Sequence, residues 1–203
     1  MVFFINMTLL VLSVVAVFAV FIASGKHAKK KEEMKQRFLA TEEAANSVRK
    51  KDIDPALFYT ADLSALPAIP EGDPHQVQRC AKRVMIRFEK PLTNVELKMQ
   101  YGLAQMDFIA EYEENFNAYL KALTNWATEA PDTDALKILQ LAISLGSEYR
   151  DTYKTAADIY SRQGDKYGLD ALLAHAEKNH FSDPSIRKQI LEYINRKKEE
   201  KPA

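Results

Sequence analysis

Four histidines and one cysteine are the residues of this chain best suited to metal binding or nucleophilic catalysis. Their spacing assembles neither chemistry. His175 and His180 lie five residues apart, which puts them on different helix faces, and no Cys or carboxylate joins them at metal-ligand spacing. His75 and Cys80 are also five apart, so a thiolate–imidazole pair would need a third element to assemble it. His27 stands alone in a basic run. None of the six glycines belongs to a G-x-G-x-x-G turn or a phosphate loop ending in GK[ST]. Glu113 and Glu114 are consecutive, and a solvated helix face accounts for them. No catalytic residue, metal or cofactor is expected.

One charge pattern could recognise a partner. Lys154, Asp158 and Arg162 fall at i, i+4 and i+8, and Lys188, Glu192 and Arg196 repeat that order of signs 34 residues later. On helices these six would line one wall and read a charged peptide. The same spacing also describes two salt-bridge ladders, worth a few tenths of a kcal/mol per pair.

The elements that must position these residues begin with residues 1–25, which contain no charged side chain. Valine, phenylalanine, leucine, isoleucine and alanine dominate. As a helix the run would be roughly 35 Å long, enough for a ~30 Å hydrocarbon core. A single transmembrane helix is expected over 1–25. A cleaved signal peptide is the alternative suggested by Ala23-Ser24-Gly25, but the positively charged start and short apolar core of such a signal are missing.

Residues 26–51 hold nine Lys/Arg against four Glu, a net +5, so the remainder of this neutral chain carries −5. Basic residues flanking an apolar run face the cytoplasm, which places the N-terminus outside and the later domain inside at the cell membrane. The stretch 26–37 can also attract anionic lipid headgroups. The acidic body that follows argues against nucleic-acid binding, which needs a clustered basic face.

Residues 26–51 read as a basic juxtamembrane helix or stalk too polar to bury a face. Residues 52–74 contain Pro55, Pro67, Pro70 and Pro74, which exclude a long helix. Their apolar content (Leu57, Phe58, Tyr59, Leu63, Leu66, Ile69) suggests a packed arm or linker with a short helical turn. From 75 to 197 the pattern is helical throughout, with no alternating run that suggests a strand. Val77 to Phe88 reads as one helix entered through Asp73-Pro74. Thr93 and Glu96 match a capping box opening a helix through Ile109. Further helices follow around 116–126, 134–145, 149–162, 167–178 and 184–196, and 198–203 is a charged tail.

An offset of 34 aligns Tyr119, Ala122, Leu123 and Trp126 with Tyr153, Ala156, Ala157 and Tyr160, and then with Arg187, Ile190, Leu191 and Ile194. Ala135, Leu139 and Ala142 align with Leu169, Leu173 and Ala176. The segment from Ala156 to Asp165 resembles the end of a first helix and the turn of a tetratricopeptide (TPR) repeat, and 34 residues is that repeat's length. The resemblance covers 116–183, with 184–197 in the place of a closing helix; Ala130-Pro131 and Phe181 depart from the family pattern. It implies an all-α, TPR-like array of antiparallel helical hairpins whose groove would contain Lys154, Asp158, Arg162, Lys188, Glu192 and Arg196. Acid at Asp158 and Glu192 departs from the family's sites for a peptide's terminal carboxylate, where asparagine stands.

The expectation is therefore a membrane-anchored adaptor or scaffold that binds an unidentified protein or peptide. A membrane-bound enzyme with a site between helices, or a homo-oligomerising structural subunit, are the alternatives.

Overall fold

The computed structural model describes residues 29–200. Helix α1 runs through 29–46, where alanine, glutamate, lysine and methionine favour helix. It projects from the body, and of its residues only Ala45 is fully buried. The segment behind it is clasped. Glu42 pairs with Lys98 at 2.8 Å, the Lys51 N–H donates to the Tyr101 carbonyl at 3.0 Å, and the Gln105 amide donates to the Lys51 carbonyl at 2.8 Å. Gly102, at φ +83°, makes this closeness possible. A Cβ there would stand 2.7 Å from the Arg49 carbonyl oxygen.

The arm that follows is ordered by its own turns. Asp54 accepts from the Ala56 N–H and caps the 3-10 turn Pro55–Leu57. Strand β1 (Phe58–Tyr59) then pairs antiparallel with β2 (Met85–Ile86), in the register Phe58 to Ile86 and Tyr59 to Met85. Tyr59, Leu63, Leu66 and Ile69 lie against the main core. Helix α2 (Val77–Ala81) is capped from a distance, because Asp73 accepts from the N–H groups of Val77 and Arg79.

Helix α3 (Asn94–Tyr101) starts with the Thr93–Glu96 capping box, both reciprocal bonds being present. It stops at Gly102, and a 3-10 turn (Leu103–Gln105) leads into the 24-residue α4 (Met106–Glu129). After it come α5 (Asp132–Ser144), α6 (Arg150–Arg162), α7 (Lys166–Lys178) and α8 (Pro184–Glu199). Short loops join helices that pack in sequence: α4 on α5, α5 on α6, α6 on α7, and α8 on both α6 and α7. Helices α5 and α7 begin 34 residues apart, as do α6 and α8.

The main core contains Tyr119, Leu123, Trp126, Ile138, Leu139, Tyr153, Ala156, Ala157, Ile190 and Ile194, all nearly inaccessible. Small residues set the helix spacing. On α7, Gly168 lies under the Tyr160 ring of α6, and a Cβ there would overlap the ring carbons. A chain of hydroxyls crosses this core. Thr124 and Thr152 are 2.7 Å apart, Ser147 and Thr152 3.0 Å, and the Thr124 hydroxyl also lies 2.9 Å from the Leu120 carbonyl. A smaller core of Ile86, Leu97, Tyr101 and Ile109 joins the arm, β2, α3 and α4.

Several expectations are corrected. No helix among the described residues is long and apolar enough to cross a membrane. The expected fold, a transmembrane helix leading an all-α array, is therefore not the fold found; the run 1–25 lies outside the described residues. The described fold is mostly helical but includes the β1–β2 ladder. The stretch from Val77 to Phe88 is a five-residue helix followed by a strand. Tertiary pairing with Phe58 and Tyr59 overrides its helical spacing, since Met85 and Ile86 must both be buried. The helix expected from Thr93 through Ile109 breaks at Gly102, where the Val48–Arg49 backbone requires a residue without a Cβ.

Candidate functional site

Helix α6 carries Arg150, Lys154 and Asp158 along one face. Helix α8 meets it with Gln189, Tyr193, Arg196 and Lys197. Tyr193 is the centre of this meeting. Its hydroxyl donates to the Asp158 carboxylate at 2.8 Å. The Lys154 ammonium stands over its ring, 5.1 Å from the centroid, and the Arg196 guanidinium at 4.7 Å. Each such cation–ring contact contributes about 0.5–1 kcal/mol at an exposed site. Burial, and then the hydrogen bond to Asp158, raise the Tyr193 phenol above its ordinary pKa, so it remains a donor at neutral pH. The Asp158 carboxylate also takes the Lys197 ammonium at 3.2 Å.

An open groove of about 270 Å³ lies between the two helices, lined by Arg150, Lys154, Gln189, Glu192, Tyr193 and Arg196. Arg150 donates to the Gln189 side-chain oxygen at 3.1 Å, which tethers the two walls. Three cations line this groove against one acid, and that acid, Glu192, is drawn 3.8 Å from Lys188. An anionic group entering the groove meets a net positive wall and a fixed aromatic face.

Of the six charges singled out in the sequence, Lys154, Glu192 and Arg196 line this groove. Asp158 supports Tyr193 and Lys197 instead. Lys188 is exposed and pairs with Glu192. Arg162 is elsewhere, joined to Asp132 of α5 at 2.7 Å. Arg150, Gln189 and Tyr193 were missed by the charge pattern. The i, i+4, i+7 spacing of Gln189, Tyr193 and Arg196 on one face of α8 was the available signal.

A larger cleft of about 380 Å³ opens at the α5–α6 and α7–α8 loops, where Glu113, Glu148, His180 and Tyr149 are among its lining. Ser182 donates to Glu148 through its N–H (2.6 Å) and its hydroxyl (3.0 Å). Partial burial, reinforced by the Glu148 charge, holds the Glu113 carboxyl above the usual carboxylate range. His75 pairs with Glu129 at 3.2 Å, and Cys80 is buried. His175 sits in the last turn of α7. Among the described residues no group of three or more His, Cys, Asp or Glu is placed to hold a metal ion.

Comparison with protein families, curated proteins and solved structures finds no match.

Proposed function

We infer that this protein is an interaction module that takes an acidic segment of a partner protein into the groove between α6 and α8. The observation that carries the reading is Tyr193. Its hydroxyl is held by Asp158, while Lys154 and Arg196 gather over its ring in a groove where cations outnumber acids. Aromatic anchors and arginine contribute disproportionately to protein interfaces. The 34-residue spacing of α5 with α7 and of α6 with α8 supports a TPR-like array, a scaffold that presents grooves rather than reactive groups. The reading assigns no catalysis.

The uncharged run 1–25 and the net +5 of residues 26–51 support a location at the cytoplasmic face of a membrane. Tethering there would raise the effective concentration of a membrane-proximal partner. Fractionation tests the location: the full chain should stay with membranes through a high-salt wash, and recovery in the soluble fraction would rule it out.

The groove is tested with a fluorescent oligoglutamate peptide and the full chain, read by anisotropy at low salt. Lys154→Ala with Arg196→Ala should weaken binding about tenfold, the equivalent of ~1.4 kcal/mol. Equal binding by the double variant and the parent would remove the groove from consideration.

A further inference from the structure

We propose that α1 lies on the surface of an anionic phospholipid bilayer, with Met34 and Phe38 inserted among the headgroups. The inference rests on the reading that the chain works beside a membrane and is independent of the α6–α8 groove. Met34 and Phe38 are 55% and 58% exposed, one turn apart on a projecting helix. At about 100° per residue they share one face, and Ala45, which lies on the same face, docks into the body of the protein. The stripe therefore begins as a packing surface and continues outward past the body.

The charges around that stripe identify what covers it. On the same helical wheel Lys30 and Arg37 border it on one side, and Lys31 and Lys35 on the other. Glu32, Glu33 and Glu43 fall on the far half of the wheel, and Glu42 is engaged by Lys98. A narrow apolar stripe between two basic borders, with acids turned away, complements a negatively charged lipid surface. A self-associating helix would gain nothing from two basic borders, which repel across a symmetric pair. The clasp of residues 47–51 by Gln105, Tyr101 and Gly102 then holds the array at a set angle to the helix, and so to the bilayer.

The test uses the full chain reconstituted into phosphatidylcholine vesicles with or without phosphatidylglycerol. Phe38→Trp places a fluorophore on the stripe, and Trp126, 3% exposed in the core, supplies the background measured in the parent. With lipids brominated near the top of the acyl chain, the added emission should shift to the blue and be quenched in anionic vesicles. Quenching should be much weaker in neutral ones. Replacing Lys30, Lys31, Lys35 and Arg37 together by Gln should abolish that difference. Absence of quenching in anionic vesicles, or equal quenching in both lipids, would overturn the proposal. So would disulfide cross-linking between copies through Phe38→Cys without lipid quenching, since a second copy would then be the occupant. Loss of peptide binding with quenching retained would sink only the groove.

Discussion

The Tyr193 hydroxyl donates to both oxygens of the Asp158 carboxylate, at 2.8 and 3.0 Å, across the contact of α8 with α6. The same bond fixes the ring that Lys154 and Arg196 cover. Tyr193→Phe keeps the ring and removes the bond. It should lower stability by about 0.5–1.5 kcal/mol in chemical denaturation. Peptide binding should fall further than this loss explains, because a released ring no longer presents one face.

Lys154 and Lys188 are equivalent in the sequence repeat but differ in the structure. Lys154 lines the groove, whereas Lys188 is exposed on its outer side and pairs with Glu192. Lys154→Ala should weaken oligoglutamate binding at low salt, and the difference from the parent should shrink as salt rises. Lys188→Ala frees an acid beside the groove without removing a groove cation, so its effect should be the smaller. Neither should shift the melting temperature much, since exposed pairs contribute about 0–1 kcal/mol.

Gly168 is the closest approach of α7 to the Tyr160 ring. Gly168→Ala should destabilise the chain by about 1–3 kcal/mol despite alanine's better helix propensity, because the ring must move within a packed core. Ala157, fully buried on α6, should behave similarly when replaced by leucine. An unchanged denaturation midpoint in both would show that these helices have room to separate.

Thr152 joins two other hydroxyls in the core. Thr152→Val keeps the shape and leaves Thr124 and Ser147 without their shared partner. The expected cost is about 1–3 kcal/mol by chemical denaturation, with Thr152→Ser recovering most of it.

Glu113 sets a pH dependence. Its carboxyl is raised first by burial and then by Glu148, so the folded chain holds this proton more tightly than the unfolded chain does. The stabilisation is fully present below the unfolded value, roughly pH 4, and is lost as pH rises through the higher folded value. At neutral pH the charge therefore works against folding. Glu113→Gln should raise the melting temperature at pH 7 and flatten its decline above about pH 4. A lower melting temperature at pH 7 would mean that the carboxylate has a stabilising partner.

The predominance of helix could be read from residue order, and so could several local devices. The Thr93–Glu96 capping box forms because both partners lie within one turn. The buried aromatic and alanine positions from Tyr119 to Tyr160 stand out because helical packing repeats every three or four residues. These are short-range properties, and short-range physics writes them into neighbouring residues. What the tertiary structure decided is long-range. Met85 and Ile86 form a strand only because Phe58 and Tyr59 arrive beside them. Gly102 ends α3 where a backbone more than fifty residues earlier passes within contact distance. The site divides in the same way: the charges on α6 and α8 were visible one helix at a time. Which face of α8 turns toward α6 was set by the packing of Ile190 and Ile194 into the core, and that rotation brought in Tyr193 and left Lys188 outside.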